Sequence, residues 1–404
     1  MNILLLAPHP IYQERGTPIA VDLILKELSK LKDQVDVITY HEGREVKYDH
    51  ITVHRILNIP FIHRIQPGFS WKKVICDIFM FFKVIRLVFK KDYQLVHAVE
   101  ESVFIALVLK RLFKISYIYD MDSSLADQLV EKYTLLTPFA FLFNFLEGLA
   151  VRNAKAVMPV CDALACAVEK YKPEKVVILR DVSLLECVDS KANGNLKEEL
   201  GIGGLLLMYI GNLAVYQGID LLLESFALVL KKTDRVDLVI IGGEATDIQK
   251  YQKKSHHLGI YQKVHFLGPK STEYLAWYLS EADILVSPRI KGKNTPMKLY
   301  SYLHSGKALL ATNLQTHTQI LDSKVAMLVE PAPEIFSKGM LRLIEDNALR
   351  LELGMAGKRL VGERFSYAIF HAKLNGLFDW LKMEMDQENS ALSGTAEQSP
   401  NRRH

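Results

Sequence analysis

Short apolar runs alternate with amphipathic stretches along most of this chain. Residues 2–7 (NILLLA) form an unbroken apolar run closed by a polar turn, the pattern of a parallel strand buried on both faces. Residues 19–31 carry apolar positions at Ile19, Leu23, Leu28 and Leu31, which predicts a helix, and 35–39 reads as a second strand. Together they make a β-α-β unit with a right-handed crossover. Further strands are predicted at 94–98, 115–119 and 157–160, the last after a helical stretch at 139–152. The pattern restarts after residues 189–204 (DSKANGNLKEELGIGG), a polar, glycine-containing junction. Residues 205–210 then read as a new first strand, 219–230 as a helix, and 236–241, 264–267, 284–287 and 308–311 as further strands.

This alternation predicts an α/β fold made of two Rossmann-like domains with parallel sheets, residues 1–188 and 189–366. An amphipathic helix at 367–385 follows, and the polar tail 386–404 reads as disordered. Ligands of open α/β sheets bind outside the carboxyl ends of the strands. The expected site is therefore the cleft between the two domains.

Composition narrows the picture. The chain has 404 residues, enough for two buried cores, and 49% of them are hydrophobic. A balance of 50 Lys+Arg against 46 Asp+Glu is too even to call for nucleic acid, and aromatic and basic residues do not alternate along strands as stacking platforms require. The four cysteines form no CxxC pair, which fits a reducing compartment. No run of 18 apolar residues is present, and the first residues lack a basic region before their apolar run, so they read as a strand and not a signal peptide.

Three loops carry candidate chemistry. The first, 8–17, joins strand to helix through Gly16, which lets a ligand approach the helix start. It lacks GxGxxG, so no dinucleotide cofactor is called for. The second, 209–220, passes through Gly211 and Gly218 into a helix. The third, 287–298, holds Arg289, Lys291, Lys293 and Lys298, with Thr295 as expected N-cap and Pro296 as expected first helical residue. Four cations at a helix start suit a pyrophosphate; a solvated basic loop fits the spacing equally well.

The chain resembles family 4 of the glycosyltransferases, retaining nucleotide-sugar enzymes of the two-domain GT-B fold. The resemblance spans residues 1–385 and is carried by APHPIYQERGTPIAVDLIL, LVHAVEE, MYIGNLAVYQGIDLLLESF, NTPMKLYSYLHSGKALLAT and ERFSYAIFHAKLNGLFDWL. It implies a hexosyltransferase-like enzyme whose second domain holds the donor and whose final helix crosses back to the first domain. The chain departs from the family pattern in several places. Asn212 and Gln217 stand where an Arg and a Lys usually meet the diphosphate, Lys293 and Ser301 where two glutamates usually stand, and Asp120 and Asp122 near the place of a usual histidine. One reading is a divergent branch whose phosphate charges have moved to Arg289 and Lys298. The other is a chain that has lost turnover and serves as a nucleotide-sugar-binding partner subunit. A sugar-nucleotide epimerase or phosphorylase of the same architecture is a third.

Negative charge grows on the leaving phosphate during such a transfer, and fixed cations stabilise it. Arg289 and Lys298 are the candidates in the donor half, and Glu101 and Asp122 the catalytic candidates in the acceptor half. Donor-binding candidates are Gly16, Gly211, Asn212, Gln217, Gly218, Thr295, Ser301 and Glu330. His97 and Asp120 are the acceptor-binding candidates. No metal ion or other cofactor is called for.

Residues 71–91 (WKKVICDIFMFFKVIRLVFKK) form a basic amphipathic helix with six cations and one anion. At 100° per residue Lys72, Lys73, Asp77, Lys83, Arg86, Lys90 and Lys91 fall on one half, and Trp71, Val74, Ile78, Phe81, Phe82, Ile85, Val88 and Phe89 largely on the other. The apolar side suits either the core or an anionic membrane surface. A second apolar stretch, 135–146, is too short to span a bilayer and either widens that surface or is buried. The expected partners are a nucleotide-sugar donor, a glycan or lipid-linked acceptor and an anionic membrane, with a cytoplasmic location at the inner face of the plasma membrane.

Overall fold

The computed structural model describes residues 1–13, 16–63, 65, 70–126, 129, 138–186, 191–192 and 194–397. The chain divides into two compact units, Met1–Leu179 with Phe370–His404, and Arg180–Ile369.

The first unit is built on six parallel strands: β1 (Asn2–Ala7), β2 (Gln34–Thr39), β3 (Ile51–Arg55), β4 (Leu95–Val99), β5 (Ser116–Met121) and β6 (Ala156–Pro159). Their order is β3-β2-β1-β4-β5-β6, so the connections reverse direction between β1 and β4. Every residue of β4 is buried, as expected of a strand covered on both faces. One face packs beneath the helices Trp71–Val88, Val103–Phe113 and Ala140–Asn153 around Leu4, Leu6, Val96, Ala98, Tyr117 and Tyr119. On the other face His97 stacks on Phe378, 6.4 Å between ring centroids, which seats the final helix against the sheet.

The second unit repeats the plan with β7 (Leu205–Ile210), β8 (Val236–Ile241), β9 (Val264–Gly268), β10 (Ile284–Ser287), β11 (Ala308–Thr312) and β12 (Met327–Val329). The order β12-β11-β10-β7-β8-β9 places its reversal between β7 and β10. The two faces of this sheet make separate cores. One is centred on Leu206, Met208 and Leu285, and the other on Leu207, Tyr209 and Val286. Odd and even residues of one strand feed different cores because strand side chains alternate.

Three features differ from the sequence reading. Strand β3 (ITVHR) is not among the expected strands: it is half-exposed along its length and lacks the unbroken apolar run of the buried strands, yet it pairs in parallel with β2. The final helix runs Tyr367–Glu397 instead of ending at 385. Residues 386–397 contain no proline, and Glu388 pairs with Lys155 of the first unit at 2.5 Å. Residues 398–404 of the expected tail lie outside the described residues, as do 135–137 of the second apolar stretch. Finally, the apolar side of the Trp71–Val88 helix does not all face the core. Cys76, Met80 and Val84 make the buried stripe, while Trp71, Val74, Ile78 and Phe82 are exposed. Among the described residues no helix is long and apolar enough to cross a membrane.

Candidate functional site

Ligand sites of doubly wound sheets form where the strand order reverses. In the second unit the loops after β7 and β10 meet at that point. Ile290 N donates to Tyr216 O at 2.9 Å, tying the two loops together. Gly218 has φ +74°, and a Cβ there would lie 1.9 Å from Pro288 O, so only glycine permits this approach. Gly211, at φ +153°, would bring a Cβ to 3.4 Å from Lys298 Nζ. Two tyrosines hold the loop after β7: Tyr209 donates to Asn212 O at 2.6 Å, and Tyr302 accepts from Ile210 N at 2.7 Å.

Lys298 reaches across from the loop after β10. Its Nζ donates to Gln217 Oε1 at 3.2 Å and lies 3.9 Å from the centre of the Tyr209 ring. Burial pushes this ammonium well below the usual lysine range, and the Arg289 charge lowers it further. No carboxylate pairs with Lys298 among the described residues. Arg289 is buried and lies 5.1 Å from the Tyr216 ring centre; its guanidinium donates to Lys291 O at 2.7 Å and to Asn294 Oδ1 at 2.9 Å. The helix Gln315–Thr318 braces the same loop, with Thr316 Oγ1 donating to Asn294 O at 2.6 Å. Two neighbouring cations beside glycine loops suit a ligand of two negative charges.

The remaining donor-half candidates fall in different places. Gln217 is buried and accepts from Lys298, whereas Asn212 is exposed and turns its Oδ1 to Ala214 N at 3.2 Å. Thr295 is not the N-cap. The helix is Lys298–His304 and its cap is Met297, because the chain first makes a tighter turn in which Leu299 N donates to Pro296 O at 3.0 Å. Thr295 Oγ1 is instead buried without a hydrogen-bond partner among the described residues. Ser301 is buried and accepts from Leu184 N at 3.0 Å, which fastens the start of this unit to the helix. Glu330 is exposed and accepts from Asn313 Nδ2 at 3.1 Å. Gly16 starts a helix in the first unit, and a Cβ there would meet nothing within 4 Å.

The reversal point of the first unit gathers carboxylates. His97 Nε2 lies 3.1 Å from Asp120 Oδ2, and both groups are buried. Glu100 follows directly after β4 with φ +50° and accepts from Ser123 Oγ at 2.9 Å. Lys73 forms an ion pair with Glu101, and Tyr40 donates to Asp77 at 2.6 Å. Burial raises the Asp77 carboxyl to about 8, helped by the charge of Glu101. Burial and the neighbouring Asp120 raise Asp122 to about 7. Glu100 is pushed well above the carboxylate range by burial, Asp122 and Glu101. A carboxyl group at about 7 can take up or release a proton near neutral pH. Sequence reasoning missed Asp77 and Glu147, which accepts from Ser124 Oγ at 2.9 Å. Both sit inside helices, where nothing but the fold reveals which way a carboxylate points.

Residues 195–360 match the model of glycosyl transferases group 1. An uncharacterized glycosyltransferase of Methanocaldococcus jannaschii is 21% identical over 290 residues, 70% of this chain and 67% of that relative. Over other curated relatives the match spans between 36% and 54% of their length. Among solved structures, sucrose-phosphate synthase from Thermosynechococcus elongatus superposes with a TM-score of 0.77 at 17% identity, covering 95% of this chain and 99% of that one. Anabaena HepE in complex with UDP-glucose superposes with a TM-score of 0.72 at 14% identity, covering 94% and 99%. The two-sheet architecture is thus that of GT-B glycosyltransferases, and the second unit carries the group 1 glycosyl transferase match.

Proposed function

We propose that the second unit binds a nucleoside-diphosphate sugar and that the chain transfers its hexose-like sugar, with retention at the anomeric carbon, to a lipid-linked glycan acceptor held by the first unit. The observation that carries this reading is Lys298, a half-buried cation without a carboxylate partner among the described residues, next to Arg289 and two glycine loops. Holding two such charges together is unfavourable until an anion arrives. A diphosphate is that anion, and as the sugar–phosphate bond breaks the same cations stabilise the charge that grows on the leaving oxygen. Thr295 offers a spare buried hydroxyl to the donor, and Gln217 orients Lys298. The solved HepE complex with UDP-glucose supports a nucleotide-sugar donor. Asp122 and Glu101 meet acceptor hydroxyls, with the His97–Asp120 pair fixing the strand ends beside them. Retention is supported by the family resemblance.

The outward side of the first unit supports a membrane-borne acceptor. Trp71, Ile78 and Phe82 are exposed on one helix, and Phe141 and Phe145 on another that packs in the same core. Asp77 and Lys73 of the first helix turn inward, so the remaining charges of that helix are cationic: Arg86 is exposed, and Lys72 and Lys83 are half-buried. Aromatic side chains ringed by cations match an anionic lipid surface.

A thermal-shift panel with UDP-, GDP-, ADP- and CDP-sugars tests the donor site. One base should raise the melting temperature, and Arg289→Ala and Lys298→Ala should each abolish the shift. No shift with any nucleotide overturns the assignment. The anomeric configuration of the product, read by NMR, tests retention.

A further inference from the structure

The Arg289 guanidinium is caged by the loops after β7 and β10. From the first loop the ring of Tyr216 covers it, with Cζ 5.1 Å from the ring centroid. From the second, Gly292 borders it: a Cβ there would fall 2.4 Å from Nη2 and 2.9 Å from Cζ. Nε donates to Lys291 O at 2.7 Å and Nη2 to Asn294 Oδ1 at 2.9 Å. We infer, resting on the donor reading above, that Tyr216 and Gly292 are positioning residues that set the plane of the Arg289 guanidinium for the diphosphate.

A guanidinium is a planar fork, and its bidentate contact with a phosphate depends on how that plane is turned. An arginine on a long stem loses rotamer freedom when a ligand fixes it, whereas a preset plane avoids that loss on binding. Two hydrogen bonds and one ring contact give Arg289 such a plane. Tyr216 is suited to the task because its own backbone is held. It lies in the short turn Val215–Gln217, and its carbonyl accepts from Ile290 N at 2.9 Å, one residue after Arg289. Its side chain is 39% exposed, so the ring gains little from burial in a core, and the guanidinium is the charged group it covers. Gly292 has φ +117°, a conformation that glycine alone adopts without strain, and its missing Cβ is the space that Nη2 occupies. One glycine thus serves both the turn and the seat of the cation.

The test is calorimetric titration of the full chain with inorganic pyrophosphate, which probes the phosphate site whatever the base. The wild type should bind. Tyr216→Ala should weaken binding about tenfold, and Tyr216→Phe, which keeps the ring, should match the wild type. Gly292→Ala, whose methyl group displaces the guanidinium, should weaken binding at least as much as Tyr216→Ala. Lysine has no plane to set, so in an Arg289→Lys background Tyr216→Ala should cost less than about twofold. Melting curves check that each variant folds, and the half-exposed position of Tyr216 makes its variants the decisive ones. A merely structural tyrosine would weaken both backgrounds alike. That result overturns the inference, as does wild-type affinity in Tyr216→Ala or a Tyr216→Phe as weak as Tyr216→Ala. A wild type that binds neither pyrophosphate nor any sugar nucleotide of the thermal-shift panel removes the donor reading itself, and the inference with it.

Discussion

His317 and Ser287, thirty residues apart in sequence, share a buried hydrogen bond of 2.9 Å at the end of β10. His317 Nδ1 donates to Thr312 O at 2.8 Å, so Nε2 accepts from the Ser287 hydroxyl. Thr312 Oγ1 in turn donates to Arg289 O at 2.5 Å. One neutral imidazole therefore fixes the ends of two strands and, through them, the backbone that carries Arg289. Burial holds its pKa down at about 3, with the Thr312 carbonyl opposing and the Lys298 and Arg289 charges adding to the effect. Replacing it with leucine takes the buried imidazole partner from the Ser287 hydroxyl and from the Thr312 carbonyl, at about 1–3 kcal/mol for each group left unsatisfied. His317→Leu should lower the melting temperature and weaken donor binding, and His317→Asn should restore part of both. Between pH 5 and 9 the wild type should show no donor-binding transition from this residue, because it stays neutral throughout. Calorimetric donor titration of the three proteins is the measurement, and unchanged affinity in His317→Leu sinks the positioning role.

Lys298 predicts a conflict between stability and function. Its folded pKa is depressed, so the folded state holds its proton less tightly than the unfolded chain. The ligand-free protein should therefore gain stability as pH rises toward the ordinary lysine range and be weakest where both states are fully protonated. Lys298→Met removes the buried charge and keeps the stem. It should stabilise the ligand-free protein by about 1–3 kcal/mol, or roughly 2–4 °C per kcal/mol, while abolishing the donor-induced shift. A fall in melting temperature together with intact donor binding would show that the cation serves the fold.

Much of this arrangement was legible in the sequence, for physical reasons. Fully buried parallel strands are short apolar runs, so β1, β4, β7, β8 and β10 stand out from NILLLA to ILVS. Glycines at 211 and 218 and the cations at 289 and 298 could be read because turn chemistry and charge are local. The network through His317 could not: a histidine in LQTHTQI looks like any surface residue until β10 and β11 bring Ser287 and Thr312 beside it. Thr295 was misread as a cap because a threonine-proline pair marks the start of a regular helix, whereas here a tight turn delays it to Lys298. On the Trp71–Val88 helix, periodicity separated the two sides but did not say which one the sheet would take. Lys73 and Asp77 turn inward because Glu101 and Tyr40 await them.

Asp77 gives the first unit a pH signature. Its folded pKa, raised to about 8, lies above the unfolded value of 3.8. Between those values the folded state binds more protons, so this group's contribution is full below pH 3.8 and lost as pH rises through 8. Asp77→Asn keeps an acceptor for the Tyr40 hydroxyl and removes the titration. From pH 6 to 9 the wild type should lose on the order of 1 kcal/mol more stability than the variant. Denaturant melts at four pH values decide the matter, and parallel curves for the two proteins would refute it.

The exposed aromatic side chains predict lipid binding with a defined chemistry. Trp71 is 62% exposed, Phe82 66% and Phe141 73%, on two helices that share one core. Transferring one such side chain from water to the acyl boundary gains about 1.5–3 kcal/mol at full burial. Ile78→Asp and Phe82→Asp replace that gain with a charge that anionic headgroups repel. Neither residue belongs to the buried stripe Cys76, Met80 and Val84, so the fold should survive both changes. Flotation with phosphatidylglycerol vesicles should recover the wild type, and each variant should bind about tenfold or more weakly. Raising the ionic strength should weaken binding as the cations at 72, 83 and 86 are screened, whereas pure phosphatidylcholine should bind poorly from the start. Equal binding of wild type and Phe82→Asp would mean that the aromatic side does not insert. Equal binding to neutral and anionic vesicles would remove the role of the cations.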